Sequence, residues 1–160
     1  MSHTLRHSLF TRLRTRLFHI YFRFSRGLTM GAQGCVLDDQ ARVFLIRHTY
    51  VPGWHFPGGG VETGETILEA LTRELHEEAN LTLTQPPRLF SLYYNRALSK
   101  RDHIALFIVR HFTQTEPRLA DYEIAEARFF ALDDLPATLH PATRRRLKEI
   151  LEHQPPSAIW

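Results

Sequence analysis

Residues 57–81 read PGGGVETGETILEALTRELHEEANL, three glycines followed by a segment holding six glutamates: Glu62, Glu65, Glu69, Glu74, Glu77 and Glu78. Ile67, Leu68, Leu71 and Leu75 recur at steps of one, three and four, which predicts an amphipathic helix over 66–79. Each helical residue advances by about 100°, so with Leu71 as the reference Ile67, Leu68 and Leu75 fall within about 60° of it. By the same count Glu78 lies at about −20°, Glu74 at about −60° and Glu77 at about −120°. Glu74 and Glu78 therefore border the apolar stripe instead of facing open water. Like charges at i, i+3 and i+4 repel, and partial burial adds a desolvation cost. An acid-rich helix is often only a solvated face, but carboxylates at this position are costly unless something cationic fills the gap. Arg73 offsets one charge. A hard divalent ion with oxygen ligands, Mg²⁺ or Mn²⁺, offsets two or more. The glycines in front let backbone approach a ligand closely, and a helix start at Thr66 offers unpaired N–H groups.

A chain of 160 residues, 43% hydrophobic and 23% charged, predicts a single domain with a proper core and excludes disordered and collagen-like classes. No apolar run approaches the roughly 18 residues of a membrane span. The one cysteine, Cys35, cannot close an internal disulfide, which fits a reducing, cytoplasmic setting. Residues 1–37 carry six arginines and no acid, leaving 14 basic against 17 acidic residues in the remainder. A basic arm is thus joined to a mildly acidic body.

Along the chain, 30–48 reads as two strands joined by a turn at Asp38, Asp39 and Gln40, the second buried on both faces because Val43 to Ile46 are continuously apolar. A short extended piece at 54–56 leads to the glycine turn and the helix. Strands are expected at 89–94, 104–112 and 127–132, and a last helix at 141–152 with Pro141 as its first residue. The tail, QPPSAIW, is expected to be loose. Strands interrupted by a central helix and closed by another indicate a mixed α/β domain.

The spacing over 59–81 follows G-x5-E-x7-R-E-U-x-E-E-x-G-U, with U a bulky aliphatic, at Gly59, Glu65, Arg73, Glu74, Leu75, Glu77, Glu78 and Leu81. On these residues the chain resembles the Nudix hydrolases. Asn80 stands where the pattern has glycine. That position ends the helix, and Asn is the next best residue for a left-handed conformation there. The resemblance implies an α/β/α sandwich with a mixed β-sheet over 29–153, preceded by an amphipathic helix within 1–28 and followed by a tail at 154–160. It also implies a Mg²⁺-dependent pyrophosphohydrolase, with Mn²⁺ as a substitute, that cleaves the diphosphate linkage of a nucleoside diphosphate derivative. By the same resemblance Glu74 and Glu78 are the main metal ligands, Glu77 assists, and Gly58 offers its carbonyl. Arg73 and Glu65 pair and hold Glu74 in position. Glu74 is the first choice of general base, and Glu123 the second, as base or as a further ligand.

Other positions stay open. Arg47, Arg96 and Arg101 are candidate phosphate contacts, and Gly59 and Gly60 candidate backbone contacts to substrate; surface solvation is the alternative for the arginines. Trp54, Tyr93 and Tyr94 either stack a base or belong to the core. The ten histidines show no ligand spacing, and none is assigned. In the basic arm Phe10, Leu13, Leu17, Ile20 and Phe24 form one helical stripe over 5–26. Three readings suit it: packing on the domain or on a second copy as a homodimer, binding to nucleic acid or an anionic membrane surface, or targeting. The rival to catalysis is a nucleotide-sensing or RNA-associated module that keeps the fold for binding alone. Retention of all four glutamates of the pattern counts against it. The region 95–99 carries neither the proline of ADP-ribose-type subfamilies nor the tyrosine of dinucleoside polyphosphate cleavers.

Overall fold

The computed structural model describes residues 25–160 and, before them, Thr15, Phe18, Tyr21 and Phe22. The stripe expected over 5–26 lies outside the described residues. Strands β1 (Thr29–Val36) and β2 (Arg42–His48) follow one another through the expected turn, where Asp38 Oδ1 accepts from the N–H groups of Gln40 and Arg42. They do not pair as a hairpin. β1 joins a four-stranded sheet in the order β3-β1-β6-β5, formed with β3 (Gly58–Gly60), β5 (Arg88–Tyr94) and β6 (Asp102–Val109). β1 and β6 run parallel, the other pairs antiparallel. β2 pairs instead with β8 (Ile124–Ala131), 7 residues against 8, so β8 begins earlier than its apolar core suggested. A third pair joins β4 (Leu81–Leu83) and β7 (Phe112–Gln114), both too short to announce themselves by alternation. The chain breaks at Arg110 and His111 between β6 and β7, where one long strand was expected.

The helices are α1 (Ile67–Ala79) and α2 (Pro141–Leu151). Each covers its own core. Ala32, Val36, Phe44 and Ile46 pack with Leu71 and Leu75 of α1, and Cys35, Leu37, Val43 and Leu45 share a cluster with Leu147 and Ile150 of α2. The continuous apolar run of β2 thus feeds both cores, odd residues to one and even residues to the other. The result is the expected α/β/α arrangement with a mixed sheet. Cys35 is fully buried, which pushes its thiol up to about 12 and makes it unreactive. Among the described residues no helix is long and apolar enough to cross a membrane.

α1 begins in a capping box: Thr66 accepts from the Glu69 N–H while Glu69 accepts from the Thr66 N–H at 2.7 Å. It ends at Asn80 in the left-handed conformation (φ 51°, ψ 35°), as expected for a residue replacing glycine. Leu68, placed in the buried stripe by its angle, is 41% exposed, while its neighbour Ile67 packs against the core.

The C-terminal tail is docked, not loose. Ala158 O accepts from the Tyr94 N–H, and the Trp160 N–H donates back to Tyr94 O, so the tail lies along the edge of β5. What draws it there is Arg146, 2% exposed, whose guanidinium donates to Ile159 O and to Glu149 Oε1 at 2.7 Å and lies over the rings of Tyr93 and Trp160. A buried guanidinium is costly unless paired, and both Nη groups of Arg146 find partners here while its buried Nε makes no hydrogen bond. Tyr93 completes the network by donating its hydroxyl to Glu149 Oε2 at 2.9 Å. Tyr93→Phe removes that donor from a buried carboxylate and is expected to lower the unfolding free energy by about 1–3 kcal/mol. The midpoint of a urea titration checks it, and an unchanged midpoint would show that the network is not stressed by losing this bond.

Candidate functional site

α1 presents Glu74 and Glu78 toward β3, as the angular count predicted. β3 is not a turn but a strand on β1, with Gly58 opposite Gln33 and Gly60 opposite Gly31. The Gly58 N–H donates to Glu78 Oε2 at 2.7 Å. A Cβ on Gly59 would stand 2.3 Å from Glu74 Oε1, so that carboxylate rests against bare backbone. Arg73 is the hub around them. Its Nη1 donates to Glu74 at 2.7 Å and to Glu77 at 3.3 Å, and its Nη2 donates to Glu65 at 2.9 Å and to Gly60 O at 3.1 Å. Glu65 is fixed in turn by the Glu62 N–H. The pairing expected between Arg73 and Glu65 is present, and it reaches Glu74.

The electrostatics separate the carboxylates. The hydrogen bonds from Arg73 and the Glu62 N–H hold the Glu65 carboxyl below its ordinary range. Burial raises Glu74, opposed by Arg73 and reinforced by Glu77 and Glu123. Burial also pushes Glu78, 6% exposed, up to about 8, against the bond from Gly58 and with the charges of Glu74, Glu123 and Glu77 adding to it. Glu77 is mostly solvated. A buried carboxyl that prefers its proton at neutral pH is a group whose charge has no adequate partner among the side chains around it.

Two further residues enter from elsewhere. Glu123 precedes β8 in a turn whose N–H groups at Glu123 and Ile124 donate to Asp121, which is paired with Arg118; Arg118 Nε also donates to Glu77 O at the end of α1. His48, the last residue of β2, brings Nε2 to 3.6 Å from Glu78 Oε1. Ligand atoms of His48, Glu78 and Glu123 lie within 4.8 Å of one another. Burial and the charge of His55 lower the His48 imidazole, opposed by Glu123. A cleft of about 640 Å³ opens on the carboxylate side of this group, lined by Glu74, Glu77, Glu78, Arg118, Tyr122 and Glu123 but not by His48. Its oxygen-rich donor set, with one carboxyl held above neutral by burial, fits a divalent cation.

Among the predicted residues, Gly58, Gly59, Gly60, Glu65, Arg73, Glu74, Glu77, Glu78 and Glu123 are therefore gathered in one place. Arg47 is not: it shares the β2 face of Val43 and Leu45, pairs with Glu126 at 2.8 Å and lies over Trp54. Arg96 and Arg101 sit on the β5–β6 connection, outside the lining of the cleft. Trp54 and Tyr93 are core residues, and Tyr94 stacks on His103. His48 went unassigned in the sequence. Its period-two relation to Phe44 and Ile46, the residues facing α1, is the signal that marks it.

A family model described as the NUDIX domain matches residues 28–153. A curated RNA pyrophosphohydrolase of Francisella tularensis subsp. mediasiatica (strain FSC147) is 52% identical over 46 residues, 29% of this chain and 30% of that protein. One from Halorhodospira halophila is 52% identical over 46 residues, 25% of its length. The chain thus aligns with less than a third of the curated relatives it matches. Among solved structures, a MutT NUDIX hydrolase from Burkholderia pseudomallei superposes with a TM-score of 0.65 at 28% identity, covering 76% of this chain and 97% of that one. An ADP-ribose pyrophosphatase from Streptococcus suis 89-1591 gives 0.62 at 18% identity over 82% and 96%, a likeness of fold.

Proposed function

The chain belongs to the Nudix family, and we propose that it hydrolyses the diphosphate linkage of a nucleoside diphosphate derivative with a divalent metal, releasing a nucleoside monophosphate. The observation that carries this reading is the pair Glu74 and Glu78, half-buried and buried against β3, with Glu78 pushed up to about 8. Glu78, Glu74, Glu77, Glu123 and the Gly58 carbonyl would hold the metal. When bound, the metal supplies positive charge against the diphosphate oxygens and lowers the pKa of water. Glu74, whose carboxyl burial raises against the pull of Arg73, is the group that takes the proton of the attacking water. Arg73 and Glu65 are positioning residues, since the guanidinium fixes the Glu74 oxygen at 2.7 Å and is itself clamped by Glu65 and Gly60 O. The missing side chain of Gly59 makes room for the Glu74 carboxylate, and Gly60, with nothing within 4 Å of where a Cβ would stand, leaves open space for diphosphate beside the strand.

A second reading, in which the diphosphate or triphosphate stands at the end of an RNA, is favoured by the acid-free run of six arginines in 1–37 and by the likeness to proteins named RNA pyrophosphohydrolase. Both readings are tested by product release from a nucleotide panel and a 5′-triphosphorylated RNA, with and without Mg²⁺ or Mn²⁺. Glu74→Gln is expected to lower metal-dependent turnover by about 10²–10⁴-fold. Equal turnover in parent and variant would overturn the catalytic reading. RNA processing that is lost at moderate salt on removal of residues 1–28 would select the RNA substrate.

A further inference from the structure

We propose that His48 is a nitrogen ligand in this centre, and that His48, Glu78 and Glu123 select a cation of the Mn²⁺ type over Mg²⁺. The inference rests on the metal-dependent reading above and adds the identity of a donor and the preference it imposes. Three elements converge on the group: the end of β2, the last turns of α1, and the turn before β8. Their meeting is tied down by hydrogen bonds just beyond the β2–β8 ladder. The Thr49 N–H donates to Glu123 O at 2.9 Å, Thr49 Oγ1 to Tyr122 O at 2.8 Å, and Tyr50 OH to Glu123 Oε1 at 3.2 Å. The β2–β8 register also shifts here, from Arg47↔Glu126 to His48↔Ile124, so the extra residue is Ala125 on β8 and the irregularity falls where the chain enters from Glu123.

The imidazole is not an ordinary satisfied core histidine. Its Nδ1 is buried and makes no hydrogen bond, while Nε2 stands 3.6 Å from Glu78 Oε1, beyond hydrogen-bond reach. His55, whose ring lies 6.1 Å away, contrasts with it by engaging Pro52 O at 3.0 Å. An imidazole beside two carboxylates is a mixed nitrogen and oxygen donor set. Carboxylate, carbonyl and water oxygens suit Mg²⁺, Ca²⁺ and Mn²⁺ alike, while imidazole suits the first-row transition ions. Of the ions that these carboxylates would hold, Mn²⁺ is the transition metal, and the one for which a nitrogen donor adds affinity.

The test uses Mn²⁺ as the probe on the full chain. Electron spin-echo modulation of the bound ion detects a directly ligated ¹⁴N, and Mn²⁺ and Mg²⁺ affinities are measured by titration calorimetry on the parent, His48→Gln and the control His55→Gln. The expected result is ¹⁴N modulation in the parent and in His55→Gln, its loss in His48→Gln, and a Mn²⁺ affinity weakened there by about tenfold or more with Mg²⁺ affinity changed less. Mn²⁺ bound by the parent without ¹⁴N modulation, or modulation that survives in His48→Gln, overturns the assignment and leaves the carboxylate site standing. The parent spectrum decides this even if His48→Gln does not fold. Absence of any Mn²⁺ or Mg²⁺ uptake by the parent overturns the metal-dependent reading itself.

Discussion

Glu78→Gln is expected to raise the thermal stability of the metal-free protein above pH 8 and to abolish stabilisation by Mg²⁺ or Mn²⁺. Burial lifts the folded-state pKa of Glu78 from 4.5 to about 8. Below about pH 4.5 the carboxyl is protonated in both folded and unfolded chains and this group leaves stability undiminished. Between these limits the folded chain keeps a proton that the unfolded chain gives up, so stability falls as pH rises and is lost by about pH 8. At about 1.4 kcal/mol per unit, the ceiling is about 4–5 kcal/mol. Glutamine accepts the same bond from Gly58 without ionising. The parent melting temperature should therefore decline from pH 5 to 9, and the profile of the variant should be flatter, Glu74 retaining a smaller share of the slope. Differential scanning calorimetry across that range reads both. Metal binding reverses the sign for the parent, because a cation favours the ionised form and expels the proton. The variant should lose that gain, with hydrolysis reduced about a hundredfold or more. A variant less stable than the parent at pH 9 would show that the carboxylate is already satisfied.

Substitution of adjacent glycines should separate fold from site. Gly58 has φ 143°, and a Cβ there would meet Ala32 O at 2.1 Å and Gln33 Cα at 2.7 Å. Both obstacles are backbone of β1, which is held on its other edge by β6, so nothing can move aside. Gly58→Ala is expected to cost about 3–5 kcal/mol and to yield little soluble protein. A Cβ at Gly59 would meet only the Glu74 carboxylate, at 2.3–3.0 Å, the far end of a flexible side chain. Gly59→Ala should fold with a loss of about 1 kcal/mol or less while displacing Glu74 from Arg73, and so lower turnover. Guanidinium denaturation of both variants, alongside calorimetric Mn²⁺ binding, checks the contrast. Parent-like stability of Gly58→Ala would contradict the close approach of β3 to β1.

Much of the centre was legible because helical periodicity is local. The angles of Glu74, Glu77 and Glu78 follow from 100° per residue and one apolar stripe, and the solvated Glu77 and buried Glu78 agree with them. The clamp of Arg73 and Glu65 and the left-handed Asn80 were likewise foreseen. β3 was mistaken for a turn because three glycines carry no alternation, and its strand character comes only from β1. The tail was expected loose because its composition is loop-like, yet a buried arginine on α2 needs its carbonyls. Arg47, a candidate phosphate contact by sequence, is turned by the pleat to the opposite face, where it pairs with Glu126.

What the chain settled by itself is everything whose partners lie within a few turns: the amphipathic helix, its caps, the buried run of β2 and the spacing of carboxylates along α1. What only the tertiary structure decided is the company those carboxylates keep. Tyr50 and Glu123 meet across 73 residues, and His48 reaches Glu78 from another strand. Such meetings depend on strand register and on which face each side chain takes, and both are set by the packing of two cores at once.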